Sequence, residues 1–233
     1  MKRSRLRGSS YIEFAFCVLL LVPLLLGATG IGMNLLLAYQ ASQVARDAGH
    51  MYARQTNNFA LSGSQTILAT LGSGIGLTAT SGVCGSAGAG KAVLVFTTLT
   101  YIDDNACVLG GYTTNGTTHN SSCKNFDKWV FCQRIVVGDT NLMATNYGSP
   151  VTSGNGNGNP LVSINSSGNI SSTTQLTNPN DVATFNAINP YSSAGSGSGL
   201  PSGQFIYIAE VAARGFTMPP FQKNPIQYAY NMF

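Results

Sequence analysis

The sequence predicts an α+β fold: a long N-terminal helix, half transmembrane and half amphipathic, carrying a small antiparallel sheet with long loops and disulfide staples. Three observations lead there. Residues 14–37 contain no charged side chain. Residues 38–55 switch to apolar residues at three- and four-residue spacing, the mark of an amphipathic helix. Beyond them, three runs rich in β-branched and aromatic residues are separated by Gly-, Ser-, Asn- and Thr-rich stretches, the pattern of strands between turns.

The apolar run comes first. As a helix, residues 14–37 would measure about 36 Å, enough to cross a hydrocarbon core of about 30 Å with some tilt. Lys2, Arg3, Arg5 and Arg7 precede it, and cations on one short flank hold that end in the cytoplasm. The chain from Ala38 onward is then extracytoplasmic. A secretory signal peptide is the competing reading, but its apolar region is usually about 7–15 residues. Glu13, at the edge of the run, is open to three readings. It is the last member of a capping box begun by Ser10, a carboxylate at headgroup level, or a functional charge. Pro23, Gly27, Gly30 and Gly32 lie inside the helix. They fit either a modest kink with close packing through Ala28 and Gly32 or a point of local melting.

The amphipathic half places Ala41, Val44, Ala45, Ala48, Met51 and Tyr52 on one stripe, with His50 read as a surface or interface residue. A short helix is expected at 64–71, and strands at 92–102, 129–137 and 204–211. In the second strand Val130, Cys132, Arg134 and Val136 share a side. Residues 138–202 read as long polar loops, with low-complexity runs at 154–159 and 194–199. The expected organisation is a basic leader at 1–8, a membrane helix at 9–37 and an amphipathic extension at 38–58. An extracytoplasmic β-rich domain follows at 59–233, with its low-complexity loops around 145–202.

Composition excludes several functions. Charged residues are 9% of the chain, against about 25% in ordinary globular proteins. The net charge of +4 belongs entirely to the four cations before Gly8; after it, eight basic residues meet eight acidic ones. No basic face for nucleic acid is available, and two histidines and two glutamates offer no catalytic set. Residues 85–92 match the spacing of a phosphate loop, but Ala92 replaces the hydroxyl that would hold a metal ion. Asp103, Asp104 and Asp139 read as solvated turn residues, since no spaced acidic loop surrounds them. No cofactor or metal is expected.

Cys17 lies in the apolar run and reads as a small apolar residue. Cys84, Cys107, Cys123 and Cys132 fall on the oxidising side in even number, which predicts two disulfides. Three connectivities are possible, and Cys84–Cys107 with Cys123–Cys132 is preferred because each closes a loop beside one expected strand. A metal site built from His119 with Cys107, Cys123 and Cys132 is the alternative, but the closely spaced cysteine pairs usual for zinc are missing.

Arg7-Gly8-Ser9-Ser10-Tyr11-Ile12-Glu13-Phe14 before an apolar run resembles the N-terminus of type IV-type prepilins. Residues 5–55 as a whole resemble the TadE/TadG-like family of the tight-adherence (Flp) pilus system. The resemblance implies a pseudopilin or minor pilin with no enzymatic activity, processed by a prepilin peptidase between Gly8 and Ser9. Small residues at that junction suit entry of an extended segment into the protease. The new Ser9 amine of one subunit would then pair with Glu13 of its neighbour, with Phe14 beside it in the subunit interface. The partners implied are the inner membrane, other pilin-like subunits and the pilus assembly platform. An uncleaved, membrane-anchored adhesion protein whose polar loops meet a surface or glycan is the second reading.

Overall fold

The computed structural model describes residues 7–54, 59, 62–78, 84–86, 90–114, 118–119, 121–142, 145–153, 160–184, 205–219 and 223–233. The runs at 154–159 and 194–199 lie outside the described residues. Helix α1, Arg7–Ala53, continues unbroken over 47 residues with Pro23 inside it, a length of about 70 Å. Ser10 therefore sits within the helix rather than before it. The capping-box reading of Ser10 and Glu13 is overturned, because an N-cap residue has non-helical backbone.

The upper half of α1 carries the domain. Ala41, Val44, Ala45, Ala48 and Tyr52 are buried and Met51 is partly so, which is the predicted stripe. Alanines there let the sheet lie close against the helix backbone. Gly49 takes this furthest: a Cβ at that position would collide with the Phe233 ring and come within 3.1 Å of the Ala209 side chain. His50 is exposed and packs its ring against Phe233, centroids 4.5 Å apart. Helix α2, Ser62–Leu71, covers the flank of α1 and adds Leu68 to the same core.

The sheet is built from β1 (Cys84–Ser86), β2 (Ala92–Ile102), β5 (Lys128–Asp139), β6 (Phe205–Arg214) and β7 (Ile226–Met232), in the order β1-β5-β2-β6-β7. The four longer strands are antiparallel, and the short β1 adds a parallel edge to β5. Between β2 and β5 come helix α3 (Asp104–Leu109) and the ribbon β3 (Thr113–Thr114) and β4 (Thr118–His119). Helix α4, Ser172–Thr177, precedes β6. Strand β7 lies outside the three runs expected from sequence. Gly215 N donates to Pro225 O at 2.7 Å where the chain returns, and Ile208 to Arg214 pair with Met232 to Ile226.

Leu94, Phe96, Ile135, Val137, Ala209, Val211 and Ala213 form the face that meets α1. On the opposite face, Tyr147, Val162, Ile170 and Ala183 cover Leu99, Phe131, Ile206 and Ile208. Within the region read as long polar loops, segments 145–153 and 160–184 have little regular structure yet pack on the sheet as a third layer. The cause is an open strand edge. β5 outruns its short partner β1, so its backbone between Lys128 and Arg134 needs other partners. The loop supplies them. Ala183 N donates to Trp129 O at 2.9 Å, Ile170 N to Cys132 O at 2.9 Å, and Arg134 N to Gly168 O at 2.8 Å. Gly168, at φ +80°, approaches too closely for any side chain, since a Cβ there would lie 2.8 Å from Arg134 O.

The disulfide pairing also differs from the preferred one. Cys107 bonds Cys123 across a separation of 16 residues, fastening α3 to the turn before β5. Cys84 pairs by its backbone with Val136, near the start of β2, whereas Cys107 lies past the end of β2, so the sheet's length separates them. Cys132 is a free thiol, carried away from Cys123 along the extended strand. Of the supposed solvated turn residues, Asp103 caps α3, accepting from Ala106 N at 2.7 Å. Asp139 is buried, accepting from Asn141 N at 3.0 Å and facing Arg214 at 3.4 Å. A carboxylate at a strand end needs such partners once the sheet is covered on both sides.

Candidate functional site

The lower half of α1 is the exposed counterpart of the upper half. Among the described residues one helix is long and apolar enough to cross a membrane, and its most apolar 18-residue window has a mean hydropathy of 2.5. From Tyr11 to Leu26 every large apolar side chain is exposed, among them Phe14 at 67% and Leu19 at 74%. Leu, Phe and Val dominate here where Ala dominates above. Thr29, the one hydroxyl-bearing residue between Tyr11 and Tyr39, donates to Leu26 O at 2.8 Å, so its polar group is satisfied inside the helix.

The first intramolecular contacts appear on one side only. Met218 packs onto Gly30, where a Cβ would lie 2.8 Å from the Met218 methyl. Asn34 takes Phe216 in a two-point grip, its Oδ1 accepting from Phe216 N at 2.7 Å and its Nδ2 donating to Phe216 O at 3.2 Å. Gly27 and Gly32 meet nothing within 4 Å, so the domain packs through Gly30 rather than through Gly32. On the far side Ile31, Leu35, Leu36 and Tyr39 stay exposed beside the domain. The uncovered apolar face thus runs from Tyr11 to Tyr39, about 42 Å along the axis, close to the full thickness of a bilayer with its headgroups. A tyrosine at each end matches the interfacial preference of that side chain.

Of the residues predicted to act, Glu13 and Phe14 lie exposed in the second turn of the helix. Glu13 is the only charged residue between Arg7 and Arg46. Gly8 and Ser9 fall inside the helical span. Asn34 went unremarked in the sequence, although a lone amide in an apolar run was a legible signal for a polar contact.

The domain holds a second group of buried polar residues, between the sheet and its loop cover. Arg134 Nη1 donates to Thr97 Oγ1 at 2.6 Å and lies 3.9 Å from Glu210 Oε2. Its Nη2 donates to Ser149 Oγ at 3.2 Å. Glu210 accepts from Thr145 Oγ1 at 2.8 Å, from Asn146 N at 3.1 Å and from the Tyr228 hydroxyl. Burial and that bond hold the Tyr228 phenol above its ordinary range. These contacts pin the loop to the sheet. Nearby, burial pushes the Asp181 carboxyl up to about 8, and burial with the Asp181 charge raises the Cys132 thiol to about 12. A thiol held so high is a poor nucleophile at neutral pH. Cys107 and Cys123, joined to each other, cannot serve as the metal ligands considered with His119.

Residues 8–50 match the model of the family described as TadE-like protein, the segment on which the resemblance to tight-adherence pilus proteins rests. No curated protein and no solved structure matches the chain.

Proposed function

We propose that the protein is a pseudopilin or minor pilin of a tight-adherence type pilus, held in the inner membrane and then assembled through the lower half of α1. The observation that carries this is the uncovered apolar face from Tyr11 to Tyr39 on a helix whose upper half packs its apolar stripe against its own domain. Lipid covers that face while the subunit waits; neighbouring helices cover it in an assembly. The N-terminus lies in the cytoplasm and the domain outside. The TadE-like match over the same residues supports the reading.

Cleavage by a prepilin peptidase after Gly8 would place the Ser9 amine within reach of Glu13 on an adjacent subunit. A carboxylate in low dielectric persists only when paired, so the pair sets the axial register between subunits. The helical backbone at Gly8 and Ser9 must open by about a turn for the cut. The role is structural: the assembly platform and other pilin-like subunits are the partners, and no step requires a cofactor.

Mass spectrometry of protein from the native host tests the reading. It is expected to show a mature chain starting at Ser9. The Glu13→Ala variant is expected to insert and mature normally but to be lost from pilus fractions. Normal incorporation of Glu13→Ala removes the pairing role, and an intact leader removes the pilin reading in favour of a permanently anchored surface protein. That second reading draws on a pocket of about 380 Å³ at the far end of the sheet, bordered by Tyr101, Leu109, Tyr112 and Phe205, where a surface ligand could seat.

A further inference from the structure

We infer that the base of the domain holds an anionic phospholipid from the outer leaflet, in a pocket between α1 and the near end of the sheet. The pocket has a volume of about 580 Å³, and its lining includes Met33, Leu37, Lys91, Arg214, Phe216 and Asn224. Its height follows from the helix. With Tyr11 at one interface, Met33 and Leu37 lie about 33–39 Å further along the axis, the depth of the opposite headgroup layer. This placement rests on the membrane-spanning reading of α1.

The chemistry of the lining divides as a phospholipid does. Met33 and Phe216 are about half exposed, and Met33 continues the apolar face of the helix downward towards the acyl chains. Lys91 and Arg214 supply positive charge. Their positions are fixed by the ladder: Arg214 N donates to Lys91 O at 2.8 Å, and Lys91 N to Gly76 O at 2.9 Å. Arg214 leans one nitrogen on Asp139 at 3.4 Å yet remains 52% exposed, and a guanidinium has five N–H donors to share. Asp139 is the acidic neighbour on the sheet side; on the helix side the nearest acid in sequence is Asp47, more than two turns above Leu37. Lys223, exposed and next in the chain to the lining residue Asn224, brings a third cation to the same end of the domain. Three of the eight basic residues after Gly8 are thus gathered at one end of a chain otherwise poor in charge. A basic pocket at headgroup depth with an apolar lower wall fits a lipid phosphate better than a free anion, which has no use for Met33 and Phe216.

Full-length protein in nanodiscs of mixed phosphatidylglycerol and phosphatidylcholine, read by native mass spectrometry, tests this. Wild type is expected to retain phosphatidylglycerol preferentially. Lys91→Gln and Lys223→Gln, both at exposed positions, are each expected to lower that preference about fivefold, while Lys124→Gln, at the opposite end of the sheet, leaves it unchanged. Equal retention of the two lipids, or a preference untouched by both variants, overturns the proposal. Glycerophosphoglycerol binding the protein as tightly as the intact lipid overturns the lipid in favour of a soluble anion. Release of wild type from membranes by alkaline carbonate would instead overturn the membrane-spanning reading beneath it.

Discussion

The two faces of the sheet are covered by opposite means. On one, α1 lays a periodic stripe of alanines and Tyr52 against Leu94, Phe96, Ile135 and Val211. Its main polar feature is the Tyr52 hydroxyl, which meets Thr98 Oγ1 at 2.6 Å and donates to Gln133 Oε1 at 2.8 Å. On the other face an aperiodic loop is held by Arg134, Glu210 and a set of backbone bonds, with only a few large apolar anchors. A helix satisfies its own backbone and can afford a dry contact. A loop cannot, so its cover brings polar partners with it. The difference teaches that the same sheet is stabilised by packing on one side and by polar satisfaction on the other.

Single substitutions separate these two modes. The largest effect is expected on the loop side. Arg134→Met leaves Glu210 buried without its cation, an event that typically costs about 3–5 kcal/mol, measurable by urea unfolding. The double variant Arg134→Met with Glu210→Met should cost less than Arg134→Met alone; a double variant worse than the single would show that the bonds Glu210 accepts from Thr145, Asn146 and Tyr228 outweigh the loss of its cation. Next comes the brace at the end of the sheet. Cys107→Ser with Cys123→Ser opens a loop whose closure contributes about 3 kcal/mol, and the loss should vanish when both proteins are compared under reducing conditions.

The helix side should respond to volume rather than charge. Ala45→Leu overpacks the contact and should cost about 1–3 kcal/mol, whereas Leu20→Ala in the uncovered half should leave thermal unfolding of the domain unchanged. A domain destabilised equally by both would mean that the lower half packs against it. The loop side should also show a pH slope. Asp181 binds its proton up to about pH 8 in the folded chain but only to about pH 4 when unfolded. Between those limits the native state holds more protons, so stability should fall as pH rises from about 4 to 8 and level off above. Asp181→Asn should flatten that decline; an unchanged slope would assign it to other groups.

Much of the helix side was legible in advance, and the loop side was not. The stripe at Ala41, Val44, Ala45, Ala48 and Tyr52, and the strands at 92–102, 129–137 and 204–211, followed from residue spacing, because helix and strand periods depend on local geometry alone. One clue to the loop cover was present. Ala-Val-Leu-Val-Phe-Thr-Thr-Leu-Thr-Tyr-Ile in β2 never alternates with charged residues, as a strand covered on both faces requires, and α1 can cover only one. Strand β7, Ile-Gln-Tyr-Ala-Tyr-Asn-Met, did alternate, but its pairing needed β6 as a template.

The sequence by itself determined that a long helix, with a single acidic residue in its apolar half, carries an α+β domain, because hydropathy and period act over neighbouring residues. Only the tertiary structure decided which cysteine meets Cys107, how a polar loop becomes the third layer, and that Lys91 and Arg214 stand together beside Met33. Those outcomes depend on which strand edges and ends come adjacent, and residues 123 positions apart in the chain carry no local trace of that.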